Sequence, residues 1–182
     1  MDRTELIRQI DASAERLEQA ASRLTDDDVR APSLLPGWTR AHVLTHLARG
    51  SEALRNLLVW ARTGVETPAY PSLEARSADI EAGSGRPSAE LIADLSAAAA
   101  TFRAEVDKMP EEAWSFMVGA PGLSAFPAQN VLVSRLVELE LHHVDLDIGY
   151  RPADWPPEFA ALKLPEPLRT WREDRLSWFR QD

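Results

Sequence analysis

The chain contains no cysteine among its 182 residues. Disulfides and thiolate-bound metals are therefore excluded, and any metal site must use histidine, aspartate or glutamate side chains. Such ligands favour zinc, nickel or iron over copper(I) or an iron–sulfur cluster. The absence of cysteine thus limits the possible metal ligands to nitrogen and oxygen atoms.

The sequence also lacks a long apolar run and a basic stripe. No apolar stretch approaches the roughly 20 residues that a membrane-spanning helix needs, and charged residues stand near the N-terminus where a signal peptide is apolar. The formal net charge of -9 disfavours nucleic-acid binding, because phosphates would be repelled. We therefore expect a cytoplasmic protein with no membrane or nucleic-acid partner.

The length suits one domain with a full hydrophobic core. Apolar spacing, N-cap residues and helix-breaking Pro and Gly predict four long helices and one short helix. The long helices are predicted at about residues 6–24, 40–62, 88–107 and 127–148, the short one at about 72–83, and a loop of small residues at 119–122. This pattern is typical of an all-α protein, an antiparallel four-helix bundle over residues 1–150 with a long decorated loop between its second and third long helices.

Residues 151–182 are predicted to form a C-terminal extension. Prolines separate it from the bundle, and it carries much apolar area for its length. Its large aromatic side chains could pack back on the bundle, contact a second copy of the chain or belong to a longer protein. Both a monomer and a homodimer stay open. These aromatic residues are Trp171, Trp178 and Phe179.

All four histidines lie on two of the predicted long helices. His42 and His46 are four residues apart on the second, and His142 and His143 are adjacent on the fourth. Glu138 precedes His142 by four residues, so both side chains project from one helix face. In an antiparallel bundle, one histidine of the second helix can meet Glu138 and His142 inside. Three such ligands leave a coordination position open for water or substrate, as in catalytic zinc sites.

Simpler interpretations of these residues also exist. A helical histidine pair often binds no metal, and Glu138 could form an ordinary surface pair with Arg135. The fourth helix is apolar on most sides, however, which favours a buried Glu138 that needs a partner. Asp145 lies on the same face and is predicted to support the site by accepting a hydrogen bond from an imidazole. His42 is assigned to the helix surface or to such a supporting position, and His143 to the core or to a hydrogen-bonded position.

Two stretches carry a recognisable pattern. The first, LPGWTRAHVLTHLA, runs from Leu35 to Ala48, and the second runs from Arg135 to Leu146 in the pattern Arg-x-x-Glu-x-x-x-His-x-Val-Asp-Leu. Together they resemble the metal motifs of the mycothiol-dependent maleylpyruvate isomerases, a family within the DinB superfamily of four-helix bundles. The connection at residues 60–81 is also similar, so the resemblance covers about residues 34–150.

The resemblance implies a zinc ion, or another divalent metal, on His46, Glu138 and His142, with mycothiol as a second cofactor. In the implied reaction the metal holds the thiol sulfur as a thiolate. The thiolate adds to the cis double bond of maleylpyruvate, the bond rotates, and elimination gives fumarylpyruvate. No catalytic residue is implied beyond the metal site. The implied partners are a small-molecule thiol and an electrophilic substrate.

Two features depart from the family pattern. Family members continue into a smaller C-terminal domain, whereas this chain stops at Asp182. Residues 151–182 are interpreted as a stub of that domain or as a replacement for it. The usual Asp-Leu-Gly ending of the second motif is here Asp145-Leu146-Asp147, which adds a negative charge near the expected site.

Other functions remain open. One is a mycothiol S-transferase that acts on other electrophiles, and another is a metal-binding bundle that acts through partners without catalysis. An enzyme needs an open coordination position beside a pocket, whereas a fourth protein ligand closes a structural site. A bundle without any metal is the last alternative.

Four arginines are candidates for binding the substrate or the thiol. A guanidinium group pairs with a carboxylate through two parallel hydrogen bonds, which makes arginine suited to anionic substrates. A solvated side chain is the alternative for each of them. The candidates are Arg40, Arg49, Arg62 and Arg76.

Overall fold

The computed structural model describes residues 1–119 and 124–179, and these residues form a mostly helical fold. Its helices are α1 Arg3–Ala21, α2 Asp26–Arg30, α3 Arg40–Thr63, α4 Leu73–Ser84, α5 Ser88–Val106, α6 Asn130–Asp145, α7 Pro157–Ala160 and α8 Leu168–Trp178. Short 3-10 helices span Glu111–Ser115 and Pro152–Asp154. Two antiparallel strands, β1 Met117–Val118 and β2 Phe126–Pro127, pair with each other. In these ranges no helix has the length and apolar character that crossing a bilayer requires.

The four longest helices share one hydrophobic core. α3 packs on α5 and α6, and α1 packs on α6 and α5. Burial of each large apolar side chain in this core contributes about 2 kcal/mol. The core therefore holds α3 against α6, and these two helices carry the predicted metal ligands. Among its fully buried side chains are Leu17, Leu44, Leu57, Phe102 and Leu132.

The acidic run at residues 26–28 follows the first long helix, which is predicted to extend to about residue 24. α1 ends earlier, at Ala21, and the acidic run forms α2. Thr25 caps this helix by accepting a hydrogen bond from the Asp28 amide, while the Asp28 carboxylate accepts one from the Thr25 amide. The three carboxylates also suit the positive end of a helix. The negative charges thus begin a helix here.

The chain before α6 holds the pair of short strands. Pro127 is predicted to begin the last long helix, but it lies in β2 opposite Met117, and α6 begins at Asn130. The Ala128 amide still donates to the Phe116 carbonyl, so strand pairing continues past the proline. The mostly helical class is confirmed, with this short pair of strands added. Most of the loop predicted at 119–122 lies outside the described residues.

α4 lies in the long connection between α3 and α5 and packs on α3. The two helices approach closely at Gly83, where an added Cβ would lie 2.5 Å from Thr45 Cγ2. Only glycine therefore fits without a shift of one helix. This close packing places Arg76 of α4 beside His46 of α3.

Residues 151–179 pack back on the long helices, which is one of the three arrangements expected for the C-terminal extension. α8 contacts α6, and the side chains of Trp155, Phe159 and Leu164 before it are buried. On α8 itself, Trp171 and Trp178 remain 41% and 42% exposed. In the part of the chain that the structure describes, the buried apolar side chains of the extension thus belong to the same hydrophobic core as the long helices.

Candidate metal centre

Three side chains from α3 and α6 meet in one cluster. His46 Nε2 lies 2.9 Å from Glu138 Oε2 and 3.0 Å from His142 Nε2, and the last two atoms are 3.1 Å apart. A point about 2 Å from all three atoms lies on either side of this triangle, and zinc binds imidazole and carboxylate at roughly that distance. The donor set and its spacing therefore fit a divalent metal ion.

The cluster has a simple local origin. Glu138 and His142 are one helical turn apart on α6, so they share a face, and the packing of α3 on α6 brings His46 to that face. His46 is buried, whereas the side chains of Glu138 and His142 are 24% and 12% exposed. Among the described residues, no other histidine or carboxylate joins the group. Three ligands with one accessible side leave room for a non-protein ligand.

Asp145 supports the cluster from behind. Its Oδ2 lies 2.8 Å from His142 Nδ1, and its side chain is fully buried. An aspartate at this position keeps a proton on Nδ1, so in the neutral ring the lone pair of Nε2 points into the cluster. The same carboxylate pairs with Arg175 of α8, with Nη2 2.7 Å from Oδ2 and Nε 3.0 Å from Oδ1.

The charges of the cluster are strongly coupled. Burial alone would raise the pKa of Glu138, but the imidazoles of His46 and His142 hold that pKa well below its usual value. Burial lowers the pKa of His46. Burial would also lower the pKa of His142, yet its hydrogen bonds with Asp145 and Glu138 raise that pKa to about 9. At neutral pH without a metal, His142 is thus a protonated imidazole between the carboxylates of Glu138 and Asp145. A metal ion can replace the proton on its Nε2.

Arg76 is the arginine candidate that reaches the cluster. Its Nη2 lies 3.0 Å from His46 Nδ1, and its guanidinium stands over the Tyr70 ring at 5.7 Å. A guanidinium can only donate, so His46 Nδ1 is the acceptor in this arrangement. The ring of Trp38 flanks His46 on another side, with 5.6 Å between centroids.

A cavity of about 220 Å³ lies beside the three ligands. Its walls are mostly apolar, and two arginines are the positively charged groups among them. A helix distant in sequence, α8, contributes Trp171 and Arg175 to the same cavity. Besides the ligands, the lining residues are Leu35, Trp38, Arg76, Val137, Leu141, Trp171 and Arg175.

The other three arginine candidates lie away from this cavity, because each is held by a partner elsewhere. Their side chains tie helices together. The partners are the carbonyls of Leu146 and Asp147 for Arg40, the carboxylate of Asp94 for Arg49 and the carboxylate of Glu105 for Arg62. Of the four predicted arginines, Arg76 alone lines this cavity, and Arg175, which is not among the four, lines it as well.

His42 does not reach the metal ligands either. Its Nδ1 lies 3.2 Å from the Thr39 amide and completes the N-cap of α3, while its Nε2 lies 3.2 Å from Glu81 Oε2. Of its two predicted assignments, the helix surface fits this position. The extra charge of Asp147 is also accounted for, because its Oδ1 pairs with Arg151 Nη1 at 2.9 Å.

A second buried polar cluster lies around Glu140, which is two residues and about half a turn from Glu138. Glu140 accepts hydrogen bonds from Ser13 Oγ, from Arg16 Nη2 at 2.7 Å and from the Tyr150 hydroxyl at 2.5 Å. The ring of His143 stacks on Tyr150 with 4.0 Å between centroids. His143 is buried, as predicted for a core residue. This cluster joins α1, α6 and the segment after α6.

The burial of His143 leads us to expect that the folded protein loses stability in mild acid. Burial, aided by the charge of Arg16, lowers the pKa of His143 to about 4, below the unfolded value of about 6.5. The unfolded chain therefore binds the proton first, so stability falls as the pH drops below about 6.5, by a few kcal/mol near pH 4. The variant His143→Phe keeps a ring on Tyr150 but cannot titrate. We expect its unfolding free energy, measured in urea, to fall less steeply between about pH 7 and 5; equal slopes would contradict the assignment.

The comparisons with known proteins agree with the geometry. The sequence profile described as mycothiol maleylpyruvate isomerase N-terminal domain matches residues 10–147. The chain belongs to this family, which confirms the resemblance found in the two motifs.

Two solved structures are similar over most of the chain. They are the crystal structures of the mycothiol-dependent maleylpyruvate isomerase and of a histidine-to-alanine mutant of it, at 31% and 30% identity, each with a TM-score of 0.84. Both matches cover 87% of this chain, and this chain spans 66% of those proteins' length. A search of curated proteins gave no match.

Proposed function

We propose that this protein is a zinc- and mycothiol-dependent enzyme that isomerises maleylpyruvate to fumarylpyruvate. The observation that carries the proposal is the meeting of His46, Glu138 and His142 beside a cavity, in a chain of the mycothiol isomerase family. Two histidines and a glutamate form one of the ligand sets of catalytic zinc sites. The three-ligand cluster with an accessible side supports catalysis over a closed structural site.

The reaction chemistry would come from the bound groups: the metal ion favours the thiolate form of the mycothiol sulfur, and this thiolate adds to and leaves from the substrate double bond. The protein holds and orients these groups. Asp145 keeps His142 in the tautomer that presents Nε2 to the metal. The apolar walls formed by Leu35, Trp38 and Leu141 limit water near the sulfur, which strengthens every electrostatic contact there.

Arg76 is the proposed partner of a substrate carboxylate. A metal on His46 Nε2 would leave the proton of that ring on Nδ1, so Arg76 could no longer donate to it. Its guanidinium would then be available for a carboxylate in the cavity. We expect Arg76→Met to raise the KM for maleylpyruvate by roughly 10- to 100-fold, because a charge-assisted hydrogen bond contributes about 1.5 to 3 kcal/mol.

Steady-state kinetics and metal analysis check this expectation for Arg76. Arg49→Met is the matched control, since Arg49 pairs with Asp94 away from the cavity. The control should keep its KM, and both variants should keep their metal. Equal KM values in the two variants would contradict a role for Arg76 in substrate binding.

Transfer of mycothiol to other electrophiles is the second candidate function. The cavity favours it in one respect, because most of its wall is apolar and includes two tryptophans, Trp38 and Trp171. Such walls suit an uncharged electrophile better than a small dicarboxylate. Both functions use the same metal and thiol and differ in what happens to the thiol.

One assay separates the two candidates. Purified protein is incubated with zinc, mycothiol and either maleylpyruvate or an uncharged alkylating agent, and the products and remaining thiol are measured by chromatography. An isomerase converts many equivalents of maleylpyruvate while the thiol concentration stays constant. A transferase consumes one thiol for each conjugate formed. If neither reaction is faster than in the absence of protein, both proposals are contradicted.

Several broader features belong to the same proposal. The four long helices form an antiparallel bundle of the DinB type, with residues 1–150 as one unit. The protein acts in the cytoplasm as a monomer or homodimer, on small molecules. These features stay predictions of the sequence, supported by the family and by the mutual packing of α1, α3, α5 and α6.

A further inference from the structure

Helix α8 reaches the metal centre through Arg175. The side chains of Arg175 and Asp145 are 10% and 0% exposed, and they form two parallel hydrogen bonds. Asp145 Oδ2 accepts from both sides, with Arg175 Nη2 at 2.7 Å and His142 Nδ1 at 2.8 Å. An unbroken chain of contacts thus runs from α8 to a predicted metal ligand.

The pair has a geometric consequence for His142. A buried carboxylate is costly unless it is paired, and an imidazole alone would satisfy only one of its two oxygens. The planar guanidinium of Arg175 contacts both oxygens of Asp145 and fixes the plane of the carboxylate. With that plane fixed, the direction of the hydrogen bond to His142 Nδ1 is fixed as well.

Arg175 is itself held in place by its own helix. Its Nη1 donates to the Trp171 carbonyl at 3.2 Å, and its guanidinium lies 4.9 Å from the Trp178 ring. Both contacts come from α8, whose residues follow the range 10–147 that the family profile matches. The support of His142 therefore comes from a segment beyond that range.

We propose that Arg175 is a positioning residue of the metal centre, which acts through Asp145 on His142 and makes α8 part of the functional unit. This inference rests on the metal site of the proposed function. It assigns no contact with the metal to Arg175. Its effect is on how well His142 is aligned and therefore on how tightly the centre binds metal.

The test measures zinc affinity by competition with a chromophoric chelator and the visible spectrum of the cobalt(II) form. Arg175→Gln should weaken zinc binding by about 10-fold or more and change the cobalt spectrum, because supporting residues typically contribute 10- to 100-fold in metal affinity. Arg175→Lys should recover part of the affinity, since lysine keeps the charge but lacks the planar fork that forms two parallel hydrogen bonds with a carboxylate. Urea unfolding of each variant verifies that the chain is folded.

Arg172→Gln is the matched control on the same helix. Arg172 Nη1 donates to the carbonyls of Phe159 and Leu162, so this change also loosens α8 but leaves Asp145 untouched. The control should keep the zinc affinity of the wild type. Equal losses in Arg172→Gln and Arg175→Gln would overturn the inference, because only the docking of α8 would then matter.

A double-mutant cycle decides whether Arg175 acts through Asp145. In an Asp145→Asn background, Arg175→Gln should have little further effect on zinc affinity; additive losses would overturn the inference. Unchanged affinity in Arg175→Gln overturns this inference alone, whereas zinc binding without any turnover overturns only the proposed function. A wild-type protein that binds no zinc overturns both.

Discussion

Replacement of His46, Glu138 or His142 by alanine is expected to remove nearly all bound metal while the chain stays folded. The three candidate ligand atoms lie within 3.1 Å of one another, so each would contribute directly to one coordination sphere. Two remaining ligands bind zinc too weakly to retain it during purification. The zinc content should therefore fall from about one ion per chain to less than about 0.1 ion per chain. Mass spectrometry of the metal, with circular dichroism of each variant, measures both parts of the result.

The control for this experiment lies on the same helix. His42 precedes His46 by four residues and has the same chemistry, but it contacts Thr39 and the exposed Glu81. His42→Ala should therefore keep its metal and lose about 1 kcal/mol or less of stability through the weakened N-cap. Metal that persists in all three ligand variants, or that disappears in His42→Ala, would place the ion elsewhere.

Two of the three candidate ligands could be placed together from the sequence because their arrangement is local. A spacing of four residues places Glu138 and His142 on one face of α6 wherever that helix lies. The contact with α3 is tertiary, although the packing of amphipathic helices restricts which faces can meet. The choice of His46 over His42, one turn earlier on the same helix, rests on the resemblance to the family motif. Asp145 follows from the same periodicity, since it is the next residue on that face.

The sequence does not show which arginines reach the cavity and which pair with carboxylates elsewhere. A long flexible side chain can reach partners on several helices, and its choice depends on which carboxylates the fold brings near. Arg62, for example, pairs with Glu105 at 2.5 Å across 43 residues of sequence. Arg175 was missed for the same reason, because it lies 30 residues from Asp145 in a segment with no recognisable motif. Only the position of α8 reveals its role.

Glu140 was also missed, although it is only two residues from a predicted ligand. Glu140 falls at an unspecified position of the second motif, and nothing in the sequence shows which residues it contacts. Helical geometry separates it from Glu138, since two residues turn the side chain by about 200°. Glu138 faces the cavity, and Glu140 faces α1, where Ser13 and Arg16 contact it.

This division predicts opposite results for two Glu-to-Ala variants of α6. Glu140→Ala is expected to lower the free energy of unfolding by about 3 kcal/mol, since it leaves the buried Tyr150 hydroxyl and Ser13 without their acceptor. The exposed part of Arg16 can turn to water, which limits the loss. For a chain of this length such a loss lowers the Tm by roughly 6 to 12 °C. Urea and thermal unfolding of the metal-free and zinc-loaded forms measure it.

The comparison with Glu138 gives this prediction its specificity. In the metal-free form Glu138→Ala should be the more stable of the two variants, because its side chain is 24% exposed and water can replace its contacts with the histidines. The two variants should differ in the opposite sense in metal content. With zinc present, Glu140→Ala should bind about one ion per folded chain, and Glu138→Ala should bind almost none. Glu140→Gln should fall between wild type and Glu140→Ala, since an amide oxygen still accepts from Tyr150 but carries no charge for Arg16. If both alanine variants lost metal and stability alike, the two faces of α6 would not have separate roles.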